Sequence, residues 1–382
     1  MRLIYLDYNA TTPIAPSVQE AMAPFLTEHF GNPSSSHTLG RACQEAVEDA
    51  RGKVAAMLGA ERDEIIFTSG GTESNNLALQ GVMLHGAPPI AGHLIISAVE
   101  HPSVVEPARF LQRLGCGLTV VGCDDQGLVD PARIKAAMRP DTRLVSIMHA
   151  NNETGVVFPI EQLSRLAKET NPAIVFHTDA AQSVGKIATS VHELDVDLLS
   201  VAGHKLYAPK GVGALYVRRG VAIEPLLHGA GHEGGLRAGT ENVAYVVGLG
   251  QASRLAQRGC EEPATRLAAI RDRLCARLRK TIGIHMTVHS HRVPRLPNTL
   301  SVSFLGLSSA ELLARVPEIC ASTGSACHSF AGGASPTLAA MGVSPEDAQG
   351  TVRLSVGWFT SEEEVDRAAE LLIGAWEALH TS

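Results

Sequence analysis

Short apolar runs, each followed by a helix-like or turn-like stretch, recur along the first two thirds of the chain and constrain its fold more than any other feature. The runs are Glu64-Ile65-Ile66-Phe67-Thr68, His93-Leu94-Ile95-Ile96-Ser97, Leu118-Thr119-Val120-Val121, Arg143-Leu144-Val145-Ser146-Ile147-Met148, Ile174-Val175-Phe176, Val196-Asp197-Leu198-Leu199 and Val212-Gly213-Ala214-Leu215-Tyr216-Val217. Helical patterns begin at Thr72, span about 103–114 and lie near 160–169. Near-continuous apolar runs of strand length mean burial on both faces. That predicts an α/β fold with a mostly parallel sheet covered by helices. The pattern changes near residue 255. A charged helix-like stretch over roughly 262–280 leads to shorter strands at Asn298–Phe304 and Val352–Val356, and an amphipathic helix from Ser361 to His380 follows. The expected division is a large domain over 16–254 and a smaller α+β domain built from 255–382 with 1–15. At about 150 residues per domain, a chain of 382 residues has room for both.

Composition excludes several classes of function. The net charge is −7 and Lys and Arg form no long runs, which leaves no footprint for nucleic acid or for a polybasic membrane segment. The N-terminus lacks a signal-like apolar stretch, and no uncharged run approaches the roughly 18 residues of a membrane span. The seven cysteines are odd in number and show no CxxC spacing. Reduced thiols in a cytoplasmic protein are expected, with neither a disulfide framework nor a metal site.

The chemistry sits just after the apolar runs. Asp179 lies in His177-Thr178-Asp179-Ala180-Ala181-Gln182, and Lys205 closes Ser200-Val201-Ala202-Gly203-His204-Lys205. An acid at one strand end and a lysine at the next suit pyridoxal phosphate. The lysine would hold it as a Schiff base, and the carboxylate would keep the pyridine nitrogen protonated. Thr68-Ser69-Gly70-Gly71-Thr72-Glu73-Ser74 follows a strand and opens a helix, so Gly71 and Thr72 offer backbone N–H groups to a phosphate. Taken alone, such glycine turns more often bind nothing.

His101, in Glu100-His101-Pro102, falls at the same sheet edge, where ligands of open α/β sheets bind. By itself it reads more readily as a surface histidine before a proline-led helix. Asn152, in Asn151-Asn152-Glu153-Thr154-Gly155, sits at another strand end, though paired asparagines also make good turns. The polar loop Gly235–Asn242, which carries Thr240, could be an exposed linker. Arg353 alternates with apolar residues in its strand; it faces either solvent or a substrate carboxylate, which its fork grips well. Cys327 lies at the middle of a Gly/Ser/Ala-rich stretch, 321–335, that reads as a mobile loop with no apolar setting for a structural thiol.

In order and along nearly the whole chain, from Tyr5-Leu6-Asp7-Tyr8-Asn9-Ala10-Thr11-Thr12-Pro13 to Val352–Gly357, these motifs resemble the cysteine desulfurases of the NifS/IscS type. Those enzymes belong to the class V aminotransferases of pyridoxal phosphate fold type I. The resemblance implies a homodimer that acts on L-cysteine and passes sulfur to an acceptor protein. It assigns Lys205 to the Schiff base, Asp179 to the pyridine nitrogen and Gln182 to the phenolic oxygen. His101 would stack on the ring and move protons. Thr72 and His204 would hold the phosphate, joined by Thr240 from the other subunit. Asn152, Arg353 and Asn32 would bind the substrate, and Cys327 would take the sulfur as a persulfide, releasing L-alanine.

The sequence departs from the family pattern in places. A serine often precedes Gly-His-Lys as a phosphate contact; here it is Ala202. Ala202 and Cys327-His328-Ser329 lean toward the related selenocysteine lyases, the alternative reading, whereas Pro102 stands where the vertebrate lyases carry an aspartate. Housekeeping desulfurases continue past the last helix with a tail that engages an iron–sulfur scaffold protein; this sequence ends at Ser382.

Overall fold

The computed structural model describes residues 3–86, 91–259, 261–323 and 335–380. In chain order its first strands are β1 (Ile4–Tyr5), β2 (Ile65–Thr68), β3 (His93–Ser97), β4 (Gly117–Val121), β5 (Thr142–Ser146), β6 (Val175–Asp179), β7 (Leu198–Ala202) and β8 (Gly213–Val217). Then come β9 (Met286–Val288), β10 (Thr299–Phe304), β11 (Ile319–Cys320), β12 (Ser322–Thr323) and β13 (Thr351–Ser355). A seven-stranded sheet has the order β2-β8-β7-β6-β5-β3-β4. Every pairing from β4 through β7 is parallel, while β8 runs antiparallel to both β7 and β2.

The apolar runs bury both faces, as their continuity requires. In β3, Ile95 enters one core while Leu94 and Ile96 enter the other. Each such side chain is worth about 1.5–3 kcal/mol on burial. The helices Gly71–Leu84 and Pro102–Arg113 cover the second face with Leu77, Val82, Val104 and Leu111. The opposite face is covered in part by Thr38–Leu58, which packs against Val243–Gly259. Both of these helices went unread in the sequence. The signal for the first was present: Cys43, Val47, Ala50, Val54 and Leu58 are all buried at helical spacing.

The smaller unit has an antiparallel sheet in the order β12-β13-β10-β9. Val352 and Leu354 of β13 pack against the helices Glu261–Ile282 and Glu362–His380, through Leu274, Leu278, Leu372 and Trp376. Strand alternation turns Arg353 to the other face. Residues 322–323, expected within a loop, form β12 against β13; Cys327 and the rest of 324–334 lie outside the described residues.

The N-terminal segment joins the two units. Ile4 and Leu6 sit in the smaller core, Tyr8 in the larger. Behind Tyr8, the Tyr207 ring stacks on Trp358 at 3.8 Å.

Candidate active site

The carboxyl ends of β2, β3, β5, β6 and β7 open on one cavity of about 650 Å³, closed on the far side by Asn9, Ser322 and Arg353. This is the edge where parallel sheets expose backbone ends and helix N-termini together. The cavity is lined by Gly71, Thr72, His101, Asn152, Asp179, Gln182, His204, Lys205 and Arg353, and by Ala202. Asn32 and Thr240 are exposed and do not line it within this chain.

Asp179 ends β6 almost fully buried. Its Oδ1 accepts from the Ala181 N–H at 2.9 Å and its Oδ2 from Asn75 Nδ2 at 2.7 Å. Asn75 extends the chain of contacts: Nδ2 also reaches Ser103 Oγ at 2.8 Å, and Ser103 Oγ lies 2.8 Å from His101 Nδ1. His101 N-caps its helix by accepting from the Ser103 N–H, which fixes the ring at the cavity wall. The amide oxygen of Asn75, Oδ1, is buried without a hydrogen-bond partner among the described residues. Such a group argues for a ligand or water at its side.

Lys205 ends the turn Gly203–Lys205 after β7. Its amine donates to the carbonyl of Asn9 and, at 2.8 Å, to that of Ala10. His204 beside it contacts Thr11 Oγ1 at 3.3 Å. Burial, reinforced by Lys205, Lys210 and His101, pushes its pKa down to about 4, so the ring is neutral near pH 7 and can offer a single N–H.

The helix Gly71–Leu84 begins at Gly70, whose φ of 148° suits glycine, and no side chain caps it. A Cβ on Gly213 of β8 would stand 2.7 Å from Gly70 Cα, so the antiparallel strand is what lets the turn approach. Glu73 accepts from the Ser69 N–H at 2.8 Å and from Arg237 Nε at 2.9 Å, tying the 235–242 loop to the turn. Free N–H groups at the end of this 14-residue helix form an anion seat. A buried carboxylate, a lysine, an uncapped helix end and an orphaned amide oxygen around one cavity fit pyridoxal phosphate.

The fork of Arg353 is buried and faces the cavity, which removes the solvent-face reading. Nη1 donates to the Asn152 carbonyl at 3.0 Å; Nη2 donates to Asp7 Oδ1 at 2.7 Å and to Ser322 Oγ at 3.0 Å. Nε is buried without a hydrogen-bond partner among the described residues. The two asparagines divide their work. Asn151 Oδ1 accepts from the N–H groups of Glu153 and Thr154 and shapes the turn, while Asn152 lines the cavity.

Sequence reasoning missed Asp7, Asn9, Asn75, Ser103 and Lys186. Asn75 carried a findable signal, lying one helical turn after the Gly71 opening and on the same side. Asp7 and Asn9 act through contacts made far along the chain, whereas Ser103 and Lys186 lie within about one turn of His101 and Gln182. Among the described cysteines, Cys43, Cys116, Cys123, Cys275 and Cys320, none lines the cavity. Burial raises the thiol pKa of Cys116, Cys123 and Cys275. Among the described residues no helix is long and apolar enough to cross a membrane.

Comparisons with known proteins agree with this geometry. The family model for class-V aminotransferases matches residues 4–368. The chain is 47% identical over 382 residues to a cysteine desulfurase IscS of Dictyoglomus turgidum, covering all of this chain and 96% of that one. It is 46% identical to a cysteine desulfurase IscS of an Anaeromyxobacter species, covering 96% of this chain and 91% of that one. A solved NifS-like protein superimposes with a TM-score of 0.90 at 37% identity, each chain covered in full.

Proposed function

The chain belongs to the aminotransferase class-V family, and on that footing we propose that it is a pyridoxal phosphate-dependent cysteine desulfurase. It would convert L-cysteine to L-alanine and pass the sulfur to Cys327 as a persulfide. The observation that carries this reading is the convergence of Asp179, Lys205, Gln182 and His101 with Arg353 on a single cavity.

Bound pyridoxal phosphate supplies an electron sink that acidifies the α-proton of an attached amino acid. Lys205 would hold it through Nζ, Asp179 at the ring nitrogen and Gln182 at the hydroxyl. Gly71, Thr72 and neutral His204 would take the phosphate, with Thr240 contributed by the second copy of a homodimer. Ala202 adds no hydroxyl there.

The remaining residues act on the substrate. Arg353, with Asn152, fixes the amino acid by its polar groups. Its carboxylate meets a guanidinium already oriented by Asp7 and Ser322. The amine of Lys205 and the imidazole of His101 are placed to move protons at the substrate carbon and sulfur. The Cys327 thiolate forms a bond to the substrate sulfur as the sulfur–carbon bond breaks. That carbon then takes a proton to complete alanine. An acceptor protein in the cytoplasm would collect the sulfur.

The test is purification with added pyridoxal phosphate, then measurement of alanine release from L-cysteine and L-selenocysteine side by side. Yellow protein, with borohydride fixing the cofactor onto Lys205 and alanine formed from cysteine, is the expected result. Turnover of selenocysteine alone would replace this reading by selenocysteine lyase. A protein that takes up no cofactor overturns both.

A further inference from the structure

A second lysine lies buried behind the cavity wall. Lys186 is 8% exposed and does not line the cavity. Its amine donates to Gln182 Oε1 at 3.0 Å and to Asn9 Oδ1 at 3.3 Å, and it meets no carboxylate among the described residues. Burial, with Lys205 and Arg353 nearby, pushes its pKa well below the ordinary lysine range. A lysine buried with no anion is costly, and an apolar side chain would fill the space at less expense. Its use must lie in what it holds.

What it holds is the orientation of an amide. The oxygen and the NH2 of glutamine are nearly alike in size, so packing alone does not choose between them. A lysine donor can meet only the oxygen. With Oε1 taken, Nε2 of Gln182 points the other way, donates to the Asn9 carbonyl at 3.0 Å and keeps a second N–H for the cavity. The same Asn9 carbonyl receives the amine of Lys205. Asn9 in turn is fixed from behind: its Oδ1 takes Lys186 and, at 2.9 Å, Asn298 Nδ2, while its Nδ2 donates to Thr299 Oγ1 at 2.8 Å.

We propose that Lys186 is a positioning residue that turns the Gln182 amide so that its NH2, and not its oxygen, meets the cofactor hydroxyl. This rests on the reading of the cavity as a pyridoxal phosphate site. Lys186 touches neither cofactor nor substrate; it acts through Gln182.

The experiment titrates the visible absorbance of the holo-protein in the parent, Lys186→Met, Gln182→Leu and the double variant. Lys186→Met should keep cofactor and fold. Its titration midpoint should move by about one pH unit, the size of one lost hydrogen bond, in the same direction as in Gln182→Leu. The double variant should move no further than Gln182→Leu alone, because both changes act on one contact. An unmoved midpoint in Lys186→Met, or additive shifts, overturns the proposal. So does a crystal structure of cofactor-free Lys186→Met with the Gln182 amide unturned and its bond to Asn9 intact. If Lys186→Met fails to fold, Lys186→Gln decides; its donor is one atom short and should give a smaller shift of the same sign, absent when Gln182 is leucine. A parent that takes up no cofactor defeats the reading of the site and the proposal with it, whereas a loaded parent with an indifferent Lys186 defeats the proposal alone.

Discussion

Arg353 donates to Asp7 at 2.7 Å, so the cation proposed for the substrate carboxylate already has an anion beside it. Asp7 and Ser322 both accept from Nη2, so a second carboxylate meets a guanidinium that already has partners. Arg353→Ala should therefore raise the KM for cysteine at least about tenfold, since a charge-assisted hydrogen bond is worth roughly 1.5–3 kcal/mol. Cofactor retention should be little changed. Lysine should restore only part of the affinity, being a point charge without a fork. Steady-state kinetics with cofactor stoichiometry checks this; near-parental KM in Arg353→Ala would remove the residue from substrate binding.

Cys327→Ser should keep the yellow colour and still change its spectrum on adding cysteine, yet lose sulfide production. The proposed cofactor contacts lie on other residues, so only sulfur transfer should be removed. Peptide mass mapping of the parent after one turnover should find the extra sulfur on Cys327. Undiminished sulfide from the serine variant would shift the reading to simple elimination.

Thr240 is exposed and outside the cavity of its own chain, as a residue serving a second copy would be. Thr240→Ala should load pyridoxal phosphate weakly and Lys205→Ala should be inactive. Co-expressed, the two should form mixed dimers in which one site is fully native and active. A fully active monomer at micromolar concentration, or no recovery in mixed dimers, breaks the assignment.

Glu100 is buried beside Asp179, with Oε1 accepting from Ser97 Oγ at 2.6 Å and the Met148 N–H at 2.9 Å, and with Oε2 unpartnered. Burial drives its pKa up from 4.5 to about 8. A carboxyl raised in the folded state binds its proton more tightly there than when unfolded. Stability therefore falls as pH rises between these two values, and the whole loss is present above the higher one. Glu100→Gln mimics the protonated acid and should remove that loss. The variant should match the parent near pH 4.5 and exceed it at pH 8, by up to a few kcal/mol. Thermal melts across this range check it; parallel curves would place the ionisation elsewhere.

What the sequence made legible was the part written in local order. Asp179, Lys205, His101 and the Gly71 turn each follow an apolar run directly, so finding the strands also located the chemistry at one sheet edge. The reversal of β8 was hidden, because an apolar run carries no sign of its direction, and Val212–Val217 reads like its parallel neighbours. The facing of Arg353 was hidden as well: alternation gives two faces, and only packing of Val352 and Leu354 on the helices tells which is which. Asn9 was silent because its role lies in what it meets across the fold, and Lys186 because a lysine reads as solvated until its surroundings are known.

The way residues 6–9 lie across the cavity also sets when the site can exist. The Asn9 N–H is bonded to Ser355 Oγ, 346 positions away, and the Ser355 N–H to the Leu6 carbonyl. A ribosome that has delivered the whole large sheet, with Asp179 and Lys205 in place, has still not supplied the strand that seats Asn9. Loops this long close late, after local elements have formed. A nascent chain thus lacks the seat of Asn9 in the cavity wall until residue 355 has emerged, and the cavity closes only after that point.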